Sequence, residues 1–113
     1  MNDQELLTYA AKAAGYIETA SVQDGFGFIA LVVMDQDGDW TGKDWNPLEN
    51  DADAFQLMVK LLLAVEVGHI DTEVFYRDDR KYKKTSCANP SEKGNATRRA
   101  IVMAAAEIGK AMK

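Results

Sequence analysis

The chain is poor in the residues that usually carry chemistry. It has one cysteine, Cys87, and one histidine, His69. The first excludes a disulfide framework, and together they leave no ligand set for a zinc site. No apolar run approaches the roughly 18 residues of a membrane-spanning helix. The opening Met1-Asn2-Asp3-Gln4-Glu5 lacks the basic region of a signal peptide. There is no P-loop, and Gly25-Phe26-Gly27 lacks the third glycine and following helix of a dinucleotide fingerprint. What is present is a hydrophobic fraction of 47% in 113 residues, enough for one domain with its own core and too little for two. Charged residues at 27% and aromatics at 9% exclude a disordered tail. The expectation is one acidic, soluble, cytoplasmic domain over residues 1–113, with no cofactor, no metal and no membrane contact.

The net charge is −5, and it is laid out unevenly: −8 over residues 1–60 and +3 over residues 61–113. The segment Asp35–Asp53 carries −6, and Arg77–Arg99 carries +5. Such a bipolar chain either steers a charged partner or neutralises itself in the fold.

Hydrophobic spacing predicts the elements. Residues 3–14 place Leu6, Leu7, Ala10, Ala11 and Ala14 on one helical face, with acidic Asp3 and Glu5 at the start and Gly15 as the stop. Residues 16–22 and 26–34 read as a hairpin around Gln23-Asp24-Gly25. Asp37-Gly38 then turns into a short third strand at about 39–44. Asn46-Pro47 ends the extended run. A helix over 51–67, capped by Asn50 or Asp51, is apolar on most sides. Phe55, Met58, Leu62 and Val65 form one face, and Leu57, Leu61 and Ala64 form another. A helix so apolar points to a homodimer or another protein interface. Strands follow at 69–76 and 82–87, and a last helix at about 96–111 carries Ile101, Ala105, Ile108 and Met112. The predicted class is α+β in the order α-β-β-β-α-β-β-α, a mainly antiparallel sheet with helices packed on one face.

Each constellation that resembles a chemical site falls short of one. Asp35, Asp37 and Asp39 imitate a calcium loop, but the sixth position from Asp35 is Trp40 and the twelfth is Asn46, where glycine and glutamate are needed. His69 with Asp71 two residues on has no nucleophile to serve, and Cys87 has no paired cysteine or base. Arg77, Arg80, Lys81, Lys83 and Lys84, interleaved with Tyr76 and Tyr82, are the ingredients of a nucleic-acid site. The opening α-β-β-β-α order matches a double-stranded-RNA-binding domain. However, acidic Glu49, Asp51 and Asp53 stand where that family carries its phosphate-gripping lysines. Arg98 and Arg99, adjacent near the start of the last helix, could hold a ligand phosphate between helix and sheet.

Three stretches together resemble a group of small accessory proteins of tailed bacteriophages and prophages. They are ELLTYAAKAAG at 5–15, Trp45-Asn46-Pro47-Leu48 followed by DADAFQLMVKL, and ATRRAIVMAAAEIGKAM at the end. The resemblance implies a protein acting in the bacterial cytoplasm and transfers no catalytic residue. Small acidic phage proteins of this kind resemble stoichiometric inhibitors of host restriction or CRISPR machinery. The leading expectation is therefore a non-enzymatic protein-binding module, with a host protein or complex as partner. The candidate contacts are Asp37, Asp39, Trp40, Asp44, Asp51 and Asp53. Nucleic acid bound by the 77–84 segment, and a small nucleotide bound at Arg98 and Arg99, rank behind it.

Overall fold

The structure is a computed structural model that describes residues 2–68, 71–78, 81–88 and 93–112. His69, Arg80 and the side chain of Lys81 lie outside what it describes. Helix α1 (Asp3–Ala13) leads into strands β1 (Glu18–Asp24) and β2 (Gly27–Met34). Helix α2 (Asp51–Lys60) follows, then strands β3 (Ala64–Val67), β4 (Asp71–Asp78) and β5 (Lys81–Ala88), and helix α3 (Lys93–Ala111). The α+β class and antiparallel pairing are as expected. The strands divide between two sheets, where the sequence reading has one: β1-β2, and β3-β4-β5 with β4 central.

The chain opens as its pattern dictates. Asn2 caps α1 by accepting from the Glu5 amide at 2.8 Å, and Leu6, Leu7, Ala10, Ala11 and Ala14 are all buried. The helix ends in a Schellman motif: Tyr16 N–H donates to the Ala11 carbonyl, and Gly15 N–H to that of Lys12. Gly15 sits at φ +93°, a conformation it adopts without strain.

Two expectations need correction. The third strand at 39–44 is reduced to two isolated bridges on β2, Met34 with Trp40 and Leu31 with Trp45. The helix over 51–67 ends at Lys60, and Ala64–Val67 becomes β3 instead. The cause is a second Schellman motif. Leu63 N–H donates to the Met58 carbonyl at 3.0 Å and Leu62 N–H to that of Val59 at 3.2 Å, with Leu62 at φ +55°. This is the same stop as at Gly15, made with a leucine where glycine is usual, so composition does not signal it. A side chain in the left-handed region costs about 1–2 kcal/mol, and that of Leu62 is 87% exposed. Leu62→Gly is therefore expected to stabilise the isolated chain by about 1 kcal/mol, read by chemical denaturation.

The core forms where α1 and α3 cross. Ala100, Val102, Ala104, Ala105 and Ala106 of α3 are fully buried, and the small side chains let the two backbones approach closely. A Cβ added to Gly109 would lie 1.9 Å from the Tyr9 carbonyl oxygen. The three-stranded sheet packs Thr72, Val74 and Tyr76 against α3. It is pinned there by Thr85 Oγ1 donating to the Ala100 carbonyl and by the Thr72–Thr97 hydroxyl pair. On the other side, Leu31, Val33 and Trp45 join α1 in the same core.

Candidate functional site

The acidic segment starts at the end of β2. Asp35 Oδ1 accepts from the amides of Asp37 and Asp39, both at 3.0 Å, and Gly38 N–H donates to the Asp35 carbonyl. This local turn leaves Asp37 and Asp39 exposed. Among the described residues no group of three or more ligating side chains could hold a metal ion. The bridge from Met34 to Trp40 then sets the Trp40 ring on the same face as Met34.

Alternation identifies that face. Leu31 and Val33 point into the core beside α1, so Val32 and Met34 point the other way, with Val22 and Ala20 of β1 beside them. Val22, Val32 and Met34 are half-buried, Ala30 opposite Val22 is buried, Ala20 is exposed, and Trp40 is 45% exposed. The result is a partly open apolar sheet face with an exposed tryptophan at the Met34 end and the buried Ala30 at the other. Asp37, Asp39 and Asp44 are exposed within four residues of the tryptophan along the chain, and Glu18 is paired in register with Met34.

The other acidic candidates are engaged within the fold. Asp53 Oδ2 accepts from the Asn46 amide at 3.0 Å, and Asp51 Oδ1 pairs with Arg98 at 2.6 Å. Asn46 is the hub of the turn. Its amide nitrogen Nδ2 donates to the Ile29 carbonyl at 2.7 Å and its Oδ1 accepts from Leu48 N–H, beside the buried ring of Pro47. Arg98 closes the junction, with Nε donating to the Leu48 carbonyl at 2.9 Å and Nη2 to Asn95 Oδ1. Arg99 turns elsewhere, to Asp3 at 3.2 Å. The two arginines thus hold two different places, and they lie beyond the first turn of a helix that begins at Lys93. They do not converge on one phosphate. The three stretches that carry the phage resemblance touch one another here and at the α1–α3 crossing, which makes them packing elements of this chain.

The basic segment is split by its own pleat. Tyr76 is buried, so its register partner Lys83 lies on the helix side. Phe75, Arg77, Tyr82 and Lys84 share the opposite face, where Tyr82 is 79% exposed. That face also carries Glu66 and Glu73 in register with each other, and Lys84 lies 3.6 Å from Glu73. Cys87 is half-buried opposite Thr72.

The described surface has shallow clefts. One of about 310 Å³ lies between the β1–β2 tip and the Asn46 turn, lined by Phe26, Phe28, Ile29 and Leu48 with Asp24 and Glu49. A smaller one of about 140 Å³ lies between Trp45, Tyr16, Leu57 and Lys60. Lys60 Nζ stands 5.2 Å from the Tyr16 ring centre. Burial, then the carboxylates of Asp53 and Asp35, push the Tyr16 phenol above its ordinary range, so it remains protonated at neutral pH.

Sequence reasoning missed the sheet face beneath Trp40. Ala20, Val22, Val32 and Met34 were legible as strand residues, but only the register shows which of them share Trp40's side. No family model, curated protein or solved structure matches the chain.

Proposed function

We propose that the chain is a non-enzymatic protein-binding module. Its contact surface is the face of β1–β2 that carries Val22, Val32 and Met34, with Trp40 as the anchor and Asp37, Asp39 and Asp44 as the rim. The observation that carries this reading is a 45% exposed tryptophan at the end of an apolar sheet face on which Val22, Val32 and Met34 are only half-buried. Tryptophan is over-represented among the few residues that carry most of an interface's energy. A rim of carboxylates selects a partner surface of basic character and speeds the encounter. In the phage setting that the sequence resemblance implies, such a partner is a basic, nucleic-acid-binding site on a host defence complex, blocked by occupation. Asp53 is left out of this surface because it holds the Asn46 amide, and Asp51 because it pairs with Arg98 at the start of α2.

The partner is isolated by capture on the tagged chain from bacterial lysate, and its affinity is then measured by calorimetry. Trp40→Ala is expected to weaken binding by roughly 30-fold, about 2 kcal/mol, with the melting temperature nearly unchanged. Undiminished affinity removes this face from the account.

One observation favours a second reading, a nucleic-acid-binding protein. The β4–β5 register brings Arg77, Tyr82 and Lys84 onto one open face, with Phe75 beside them. Phosphate contacts there predict a retarded band in a gel shift that fades steeply with salt and is lost in Arg77→Glu/Lys84→Glu. The opposing carboxylates of Glu66 and Glu73 weigh against it, and it ranks second. The small-nucleotide reading loses its geometric basis once Arg98 and Arg99 diverge.

A further inference from the structure

The cleft at the tip of the β1–β2 hairpin is separate from the Trp40 surface. β2 runs eight residues from Gly27 to Met34, so the two lie roughly 20 Å apart. Near the tip β2 carries one residue more than its partner strand. Val22 pairs with Ala30 and Gln23 with Phe28, which leaves Ile29 as the extra residue of a β-bulge. The bulge interrupts the alternation, and Phe28 and Ile29, consecutive in the chain, both line the cleft. Phe28 rests on the core and Leu48 is buried, while Phe26 at the rim is fully exposed. Asn46 ties the two walls together by donating to the Ile29 carbonyl at 2.7 Å. We propose that this cleft holds the side chain of an arginine presented by a partner protein, its guanidinium stacked on Phe26 and bonded to the carboxylates of Asp24 and Glu49.

The lining selects that occupant by its apolar surface and by its charge. Phe26, Phe28, Ile29 and Leu48 give the cleft an apolar floor and rim, and every charged residue that lines it is acidic. Asp3, at the edge, is already paired with Arg99 at 3.2 Å. Asp24 spends one oxygen on the Phe26 amide at 2.7 Å, which leaves its charge uncompensated. Among the described residues neither Asp24 nor Glu49 has a cation beside it. An inorganic cation does not fit, because no three ligating groups among the described residues come together. A nucleotide does not fit either, because the carboxylates would repel its phosphates. A guanidinium meets both parts of the lining: its plane stacks on an aromatic face and its N–H groups fork onto carboxylates. The volume of about 310 Å³ is at the low end of small-ligand pockets, roughly 300–1,000 Å³, and suits one long side chain.

The probe is the capped peptide acetyl-Gly-Arg-Gly-amide, titrated into the nitrogen-15-labelled chain and followed by amide NMR. The amides of Phe26, Gly27, Phe28, Leu48 and Glu49 should shift and saturate. The same peptide with citrulline, the neutral isostere of arginine, should bind weaker by roughly tenfold or more, and the lysine peptide should also bind more weakly. Asp24→Asn/Glu49→Gln keeps the acceptor for the Phe26 amide and removes both charges, so it should lose roughly tenfold or more with the rest of the spectrum unchanged. Phe26→Ala, at a side chain that packs on nothing, should lose roughly threefold with the melting temperature unchanged. No saturable shift at the tip overturns the proposal, and so does an equal response to citrulline or lysine, or binding that survives loss of both carboxylates. Tip shifts that follow protein concentration without peptide would put a second copy there and overturn it as well. Trp40→Ala should bind the peptide normally, so this proposal and the partner-binding one fail separately.

Discussion

Gly109→Ala should destabilise the protein by about 3 kcal/mol or more, although alanine is the better helix former by about 1 kcal/mol. At an open helical site the substitution would be favourable. Here the new methyl would meet the Tyr9 carbonyl oxygen at 1.9 Å and the Tyr9 carbonyl carbon at 2.7 Å. Both belong to the backbone of α1, which no rotamer change can move aside. The helices would have to separate, opening the layer of buried alanines between them. Thermal unfolding should show a melting temperature lower by about 10 °C or more. Gly94→Ala in the first turn of the same helix is the control. Its methyl would meet only a guanidinium nitrogen of Arg98 at 3.4 Å, so its effect should be within about 0.5 kcal/mol. Equal effects at the two glycines would contradict the close crossing.

Arg98→Ala is expected to cost about 2–3 kcal/mol, read by urea denaturation. The side chain is only 16% exposed and joins three places at once: the Leu48 carbonyl, Asp51 at the start of α2, and Asn95 on its own helix. The ion pair is the smaller part, because the Asp51 carboxylate is largely in water and such pairs contribute about 1 kcal/mol at most. The larger part is the donor to the carbonyl of Leu48, a buried residue left without this charged donor when Arg98 is removed. Asp51→Ala should therefore cost clearly less than Arg98→Ala, and raising the salt should leave most of the Arg98 effect in place. If the two substitutions cost the same and salt abolished both, the ion pair would be the tether instead.

How far the sequence reading reached depends on whether a local signal agreed with its tertiary setting. Helix α1 was readable because cap, apolar stripe and glycine stop all agree over residues 2–15. Helix α2 was over-extended because Leu62 does the work of a glycine, and the run Leu61-Leu62-Leu63-Ala64-Val65 suits helix and strand alike. The bridges at Trp40 and Trp45 depend on pairing with Met34 and Leu31 of β2, which no local pattern encodes. For the site, charge sums identified an acidic segment but could not separate its members. Asp37 and Asp39 are exposed in a local turn, whereas Asp53 is engaged by Asn46 and Asp51, though exposed, pairs with Arg98, partners supplied by the fold. The basic segment is likewise divided by the fold. Consecutive residues of a strand point to opposite faces, so Lys83 and Lys84 do not share one.

The most direct test of the central reading is a nuclease-treated affinity capture run in parallel on three forms of the tagged chain: native, Trp40→Ala/Asp39→Lys, and Arg77→Glu/Lys84→Glu. The account predicts a protein recovered near stoichiometry with the native chain and with the Arg77/Lys84 variant, and lost with the Trp40/Asp39 variant. A bound species that survives loss of Trp40 and Asp39 but disappears with Arg77 and Lys84, or with nuclease alone, would contradict it and transfer the function to the β4–β5 face.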